Sequence, residues 1–292
     1  MDNYTILQTD YERFVIYHAV YSSSNQLLQY DWNERLSSLD TSHACHFIYE
    51  NEIVVGGFTI VNDKVSNPFR IAHFIDLADY WTIIVEYARQ VCNKDRLQFN
   101  EIPESDVSIL VEHFFAKIDI TQRRMIRPTD QIKYNLDDCF MFELLDKSDV
   151  PEIVETVFQA HSSGYTSTFR KQDKKEIEKA ILMRIEAFTQ TKSLNMSVLV
   201  KSKCSSEIVG VCIAGIYPDS PNDFSTIHQV SVRSEYRRRG IAEAMILKSI
   251  EIAYEVSPVI TLGVMVGNPA EKLYKKLGFI AGPSYSNLSC AK

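Results

Sequence analysis

Residues 228–242 read HQVSVRSEYRRRGIA and join a strand-like run to the start of a helix through a short basic turn. The alternation that ends at Val232 is typical of a β-strand, and the residues after Gly240 recur at helical spacing. The inward face of that helix would carry Ala242, Met245, Ile246, Ser249, Ile250 and Ala253. We therefore predict a strand over 226–232 and a helix over about 240–254.

The turn between these two elements has the properties of an anion-binding site. A helix N-terminus presents unpaired N–H groups and a partial positive charge. Gly240 lets the backbone approach a ligand without a Cβ in the way, and the arginines add fork-shaped donors. Without the strand and helix around it, the same turn would be read as a solvated basic loop. In this context it predicts a pyrophosphate cradle, although the glycines of a Walker loop or a dinucleotide fingerprint are absent.

A second block, VGNPAEKLYKKLGF, follows at residues 266–279. Together the two blocks resemble the GNAT superfamily of acyl-CoA-dependent N-acetyltransferases, whose patterns are Arg/Gln-x-x-Gly-x-Gly/Ala after a V-x-V strand, and N-x-x-A-x-x-x-Y-x-x-x-G-F. The resemblance covers about residues 138–292. It implies acetyl-CoA as cosubstrate and direct transfer, in a ternary complex, of its acetyl group to a primary amine of a small molecule or peptide.

The resemblance also implies roles for individual residues. Tyr274 would be the general acid for the departing thiolate, since a phenol with a pKa near ~10 can protonate a thiolate with a pKa near ~8.5. His228 is a candidate base, with deprotonation of the amine by water as the alternative. The plainer readings are a helix-packing tyrosine and a core histidine. The cofactor-binding set would be Val230, Ser231, Val232, Arg237, Arg238, Arg239, Gly240, Ile241, Ala242, Asn268, Ala270 and Tyr274.

Within that set, the backbone of residues 238–242 would hold the CoA pyrophosphate. Val230 and Val232 would pair their main chain with the pantetheine arm like an added strand. Asn268 would bind CoA through its side-chain amide.

The chain is long enough, at 292 residues, for one large domain or two ordinary ones. Two hairpins are predicted, over 46–62 and 196–216, and their second strands share a phrase: EIVVG at 52–56 and EIVGV at 207–211. The repetition indicates a duplication. Residues 121–138 are polar and broken by Pro128, which favours a linker. We expect an α/β (α+β) fold of two GNAT-like domains, 1–130 and 131–292, each a mixed, mostly antiparallel sheet flanked by helices.

The second domain should carry further strands at 140–145 and 259–266, and helices at about 149–160, 177–188 and 269–277. The first domain departs from the pattern, because no glycine occurs between Arg70 and Gln131. We interpret it as a degenerate GNAT-like domain without a CoA cradle that shapes the acceptor cleft or mediates a homodimer. An unrelated αβ domain, or a partner-binding module, is the alternative.

The composition of the chain disfavours several classes of function. The 31 basic and 38 acidic residues give a net charge of −7, which disfavours nucleic acid as the partner. No apolar run reaches the ~18 residues that a membrane span needs, and the N-terminus lacks a signal peptide, so we expect a cytoplasmic protein. The six cysteines form no C-x-x-C pair, and His43, Cys45 and His46 do not share one face. We therefore expect no metal.

The acceptor is not specified by the sequence. Loops 161–169 and 217–224 would select it, and they contain aromatic residues and two aspartates. The absence of a carboxylate from the strand at 226–232 leaves a second function open, that of a non-catalytic acyl-CoA-binding or sensor protein.

Overall fold

A computed structural model describes residues 3–22, 44–165, 173–218, 220 and 224–292. The chain divides into two compact units. The first unit is Met1–Arg123 together with Gly282–Lys292, and the second is Arg124–Ala281.

The first unit is built on a mixed sheet with strand order β1-β2-β3-β4-β5. Strands β4 and β5 are parallel and the other neighbouring pairs are antiparallel. The C-terminal strand β12 extends this sheet by pairing antiparallel with β5. Large buried side chains such as Trp81 and Phe99 form its core. The elements are β1 (Tyr4–Thr9), α1 (Tyr11–Tyr21), β2 (Ala44–Glu50), β3 (Ile53–Val61), β4 (Lys64–Arg70), α2 (Leu77–Val91), β5 (Arg96–Pro103), α3 (Glu104–Phe114), β6 (Lys117–Pro128) and β12 (Ile280–Ala291).

The second unit repeats this design. Its sheet has the order β11-β10-β9-β8-β7, and residues 124–128 of β6 lie beside β11. Only β10 and β11 are parallel among the paired strands β7 to β11. One apolar core lies under α6 and a second under α4 and α5. The elements are β7 (Phe140–Leu144), α4 (Val150–Ser162), α5 (Lys174–Gln190), β8 (Val198–Ser202), β9 (Ile208–Ile216), β10 (Ser225–Val232), α6 (Ile241–Ala253), β11 (Val259–Met265) and α7 (Ala270–Lys276).

These elements confirm the predicted fold class and the two hairpins. The repeated phrase marks equivalent places, since Ile53 opens β3 and Ile208 opens β9, each the second strand of its hairpin. The strands and helices predicted for the second half are all present, with ends that differ by a few residues.

The predicted linker at 121–138 is wrong over its first part. Residues 121–128 belong to β6, in which Met125 and Ile126 are buried. The arginines concealed the strand, because Arg127 is itself buried and its charge is satisfied locally. Its guanidinium donates to the main-chain oxygens of Pro128 and Leu277 and to the carboxylate of Asp130.

The division into domains 1–130 and 131–292 stays a prediction. The compact units differ from it mainly in that residues 282–292 lie in the first unit, where β12 pairs with β5. None of the helices within the described ranges is long and apolar enough to cross a membrane.

Candidate active site

Strands β10 and β11 separate soon after they meet. Their parallel pairing covers only Ser225–Ile227 and Ile260–Leu262. From Gln229 to Val232, β10 continues to pair with β9 on its other side. In the part of the chain that the structure describes, the opposite edge of this segment has no strand partner. Such an edge can accept an extended ligand through main-chain hydrogen bonds, and it carries the predicted residues Val230, Ser231 and Val232.

A β-bulge at His228 changes which side chains β10 presents. Ile227 lies opposite Ala214 and Gln229 lies opposite Ile213, so His228 is the extra residue. As a result, His228 and Gln229 both face the α4 and α5 side of the sheet. The His228 ring packs against the rings of Phe188 and Tyr217, with centroids 5.9 and 4.9 Å away.

The neighbouring side chains follow from this shift. The Gln229 amide nitrogen lies 2.9 Å from His161 Nε2 on α4 and donates to Ser231 Oγ at 2.7 Å. Val230 and Val232 pack instead against the core under α6. The bulge therefore separates a polar face of β10 from an apolar one.

Gly240 is the N-cap residue of helix α6, whose N-terminus is open. Gly240 has a φ of +76°, and no side chain caps the helix. A Cβ placed at Gly240 would meet no atom of the described residues within 4 Å, so the space beside this glycine is open. Arg238 also has a positive φ, of 64°. This arrangement leaves the first N–H groups of α6 available to an anion.

The three arginines of the turn differ in what they contact. Arg237 is engaged within the protein: it donates to the main-chain oxygens of Val232, Ser163 and Ala160 at 3.2, 3.1 and 2.8 Å. Arg239 lies over the Phe140 ring and 3.4 Å from the Asp137 carboxylate.

Arg238 is exposed, and its side chain has no partner among the described residues. It is therefore the arginine of this turn that is most available to a phosphate. The guanidinium of Arg237 holds the turn in place through its bonds to Val232, Ala160 and Ser163. Its place in the cofactor-binding set stays a prediction.

Asn268 lies at the start of α7, where its Oδ1 accepts from the main-chain N–H of Ala270 at 3.0 Å. Its amide nitrogen remains a donor, as the prediction for CoA requires. The turn before it contains Gly267, with a φ of +87°. Tyr165 donates to the main-chain oxygen of Val266 at 3.0 Å, and a Cβ on Gly267 would come within 2.8 Å of the Tyr165 hydroxyl. Apart from its place in loop 161–169, nothing in the sequence pattern points to this positioning role of Tyr165.

Tyr274 projects from α7 toward the core under α6, and its ring lies 6.2 Å from that of Phe279. Burial, and the nearby Cys212 thiol, raise the pKa of Tyr274 to about 12. The phenol is therefore protonated at neutral pH. Cys212 is buried beside Ser249, and burial raises the pKa of its thiol to about 12 as well.

His228 lies on the opposite face of β10 from Tyr274. Burial, followed by the positive charges of Arg184 and Arg124, lowers the pKa of His228 to about 4. Its Nε2 is buried and has no hydrogen-bond partner. The imidazole is thus neutral at pH 7, but it holds an added proton poorly. This is unfavourable for a general base, a role that stays a prediction.

The corresponding place in the first unit is built differently. Strands β4 and β5 pair in parallel only at Lys64–Val65, but Asp76 is the N-cap residue of α2 and Asp79 lies in its first turn. Carboxylates at a helix N-terminus repel a second anion. The Tyr80 hydroxyl, fully buried, donates to the main-chain oxygen of Gly57 at 2.9 Å. That the first domain has no CoA cradle stays a prediction.

No group of three His, Cys, Asp or Glu side chains suited to a metal ion is found in the described ranges. Cys45 and His46 are buried, and His46 stacks on Phe58. His43 lies outside the described residues, as do residues 166–169, 219 and 221–223 of the loops predicted to select the acceptor.

One family model matches part of the chain, and solved structures share its fold. Residues 155–279 match the family model of the Acetyltransferase (GNAT) family. A GCN5-related N-acetyltransferase from Sphaerobacter thermophilus superposes with a TM-score of 0.72 at 15% identity, over 100% of this chain and 96% of that one. No curated protein sequence matches the chain.

Two further solved structures share the fold. A glucosamine N-acetyltransferase region of a fungal multi-domain GH3 β-N-acetylglucosaminidase has a TM-score of 0.64 at 10% identity, over 98% of this chain and 38% of that one. A tandem GNAT protein from the clavulanic acid biosynthesis pathway has a TM-score of 0.58 at 10% identity, over 99% and 98%.

Residues 155–279 thus match the GNAT acetyltransferase family, and the chain has the fold of tandem GNAT proteins. The family consists of acyltransferases that use acyl-CoA, so the match suggests acyl transfer from acyl-CoA as the class of activity.

Proposed function

We propose that the second unit is an N-acetyltransferase that moves the acetyl group of acetyl-CoA to a primary amine by direct attack in a ternary complex. The observation that carries the proposal is the uncapped N-terminus of α6. It comes one turn after β10 in the chain, and the edge of β10 beyond Ile227 is not paired with β11. An anion site next to a strand edge suits a ligand with a pyrophosphate at one end and an extended amide-containing arm at the other.

The residues present fit that ligand. The N–H groups of residues 238–242 and the free charge of Arg238 would hold the pyrophosphate, with Ile241 and Ala242 in the first turn of α6. Main-chain groups of Val230, Ser231 and Val232 would bond to the amides of the arm. The amide nitrogen of Asn268, and the N-terminus of α7 at Ala270, would complete the site.

Acetyl-CoA supplies an activated acetyl thioester when it is bound. The amine nitrogen forms a bond to the acetyl carbon, the carbon–sulfur bond breaks, and the sulfur leaves with the bonding electrons. Tyr274 would donate its phenolic proton to that sulfur. The proton that the amine releases would then restore the phenol. Burial raises the pKa of Tyr274 to about 12, so the phenol carries this proton at neutral pH.

The amine must reach the thioester without its extra proton. His228 is poorly suited to take that proton, because its pKa is lowered to about 4. Deprotonation by water is therefore the route we favour, with the acceptor approaching from the side of β10 that carries His228 and Gln229.

Isothermal titration with acetyl-CoA, followed by detection of released thiol with a panel of amines, tests the proposal. We expect acetyl-CoA to bind and at least one amine to release CoA. Absence of binding would contradict the proposal.

The unfavourable pKa of His228 also supports a second candidate, an acyl-CoA-binding protein without transfer activity. Tight binding of acetyl-CoA with no thiol release across the whole amine panel would favour this candidate. Thiol release that depends on Tyr274 would exclude it.

A further inference from the structure

On the α5 side of β10, two buried polar atoms have no hydrogen-bond partner among the described residues. One is Nε2 of His228, at the bulge, and the other is Nε of Arg184 on α5. Arg184 lies one turn before Phe188, whose ring packs against His228, so both side chains belong to the same surface. Buried polar atoms are nearly always hydrogen-bonded. Two unpartnered atoms on the same surface therefore need a physical explanation.

The charge of Arg184 is also unbalanced. The only bond of its guanidinium to the described residues runs from Nη1 to the main-chain oxygen of Ala180, at 3.1 Å. No carboxylate of the described residues pairs with it. A half-buried guanidinium without a counter-ion is costly to keep, unless a ligand supplies the negative charge.

We propose that Arg184 and His228 form a binding site for a carboxylate carried by the acceptor, so that the acceptor is a small amino acid or an amino-acid-like amine. The proposal rests on the proposed function, whose acceptor class it specifies. A carboxylate can take two parallel hydrogen bonds from a guanidinium, and a neutral imidazole can add a third from Nε2. The positive charges of Arg184 and Arg124, which already act on His228, favour the same ligand.

The location fits the reaction. His228 occupies the bulge at the point where β10 leaves β11, so a carboxylate bound there lies beside the strand edge on which the acyl arm would rest. In an amino acid the amine is two bonds away from the carboxylate carbon. Holding the carboxylate at His228 and Arg184 would therefore keep the amine near this edge.

The test uses the full-length protein and a panel of the standard amino acids, each paired with its carboxamide. Binding of each compound is measured by thermal shift with and without CoA, and thiol release is measured with acetyl-CoA. We expect at least one amino acid to bind and react about tenfold or more better than its carboxamide, because a charge-assisted bidentate contact distinguishes the two. Equal response to both members of every pair, including no response to either, would overturn the proposal.

Variants of Arg184 test whether this residue causes the preference for a carboxylate. Arg184→Gln should reduce the preference for the carboxylate to about threefold or less, while Arg184→Lys should retain part of it, since the charge remains. Lys179→Gln removes the same charge from the exposed face of α5 and should change nothing. Persistence of the full preference in Arg184→Gln would overturn the assignment.

Thermal stabilisation by acetyl-CoA alone distinguishes a failure of this proposal from a failure of the proposed function. If acetyl-CoA stabilises the wild type and Arg184→Gln equally, both are folded and the cradle is intact, so a missing carboxylate preference counts against the acceptor site only. If acetyl-CoA fails to stabilise the wild type, the proposed function itself fails.

Discussion

Arg237 and Ser163 are joined by two hydrogen bonds, in which Nη1 donates to the main-chain oxygen of Ser163 at 3.1 Å and Nη2 donates to its Oγ at 2.9 Å. Ser163 follows the last residue of α4, so the guanidinium lies at the negative end of that helix. The basic turn before α6 is thereby fixed to α4. Its shape is set before any ligand arrives.

Replacement of Arg237 by Gln should lower the free energy of unfolding by about 1–3 kcal/mol, because charge-assisted bonds are lost and main-chain oxygens are left without donors. Arg238 is exposed and has no partner among the described residues, so Arg238→Gln should change the free energy of unfolding by less than about 0.5 kcal/mol. The same variant should weaken acetyl-CoA binding. Urea denaturation and isothermal titration measure the two effects. Equal destabilisation by both variants would contradict the difference between the two arginines, in which Arg237 is bonded within the protein and Arg238 is not.

Tyr274→Phe should lower kcat by about a hundredfold and leave the KM for acetyl-CoA nearly unchanged, because the variant loses a proton donor but keeps the ring. Tyr254→Phe, at an exposed tyrosine of the same unit, is the control. The wild-type rate should not fall through ionisation of Tyr274 below about pH 12. A fall near pH 10 that is absent from Tyr274→Phe would contradict the raised pKa.

His228 should make stability depend on pH. Its pKa is lowered from 6.5 to about 4 in the folded protein, so the unfolded chain binds a proton more readily. The stabilisation is complete above about pH 6.5, and it falls as the pH drops through about 4. The loss amounts to about 3 kcal/mol. Denaturation curves of His228→Asn should be flatter over this range, and curves parallel to the wild type would refute the effect.

The chain should bind one acetyl-CoA. The first unit has Asp76 and Asp79 at the start of α2, where the second unit has Gly240 and an open helix N-terminus. Isothermal titration should therefore give one site per chain, and Asp76→Asn should not change the affinity. A second site that disappears on mutation in α2 would contradict the degenerate status of the first unit.

Local patterns carried most of the correct sequence predictions. The hairpins and the strand–turn–helix around Gly240 depend on neighbouring residues, so they could be predicted from spacing and turn chemistry. β6 and β12 could not, because both are recognised by long-range pairing. Arginines such as Arg127 gave β6 the composition of a linker, and Gly282 and Pro283 gave β12 that of a loop. The bulge at His228 depends on the register of β10 against β9, which the sequence of β10 alone does not reveal.

The most direct test of the cradle is the affinity for acetyl-CoA of Gly240→Asp compared with Gly240→Asn, measured by isothermal titration. Both side chains tolerate the positive φ of Gly240 and have nearly the same size, so the pair differs in one negative charge at the N-terminus of α6. The account predicts that the Asp variant loses most of the affinity retained by the Asn variant. Equal affinity in the two variants would place the pyrophosphate elsewhere and contradict the assigned site.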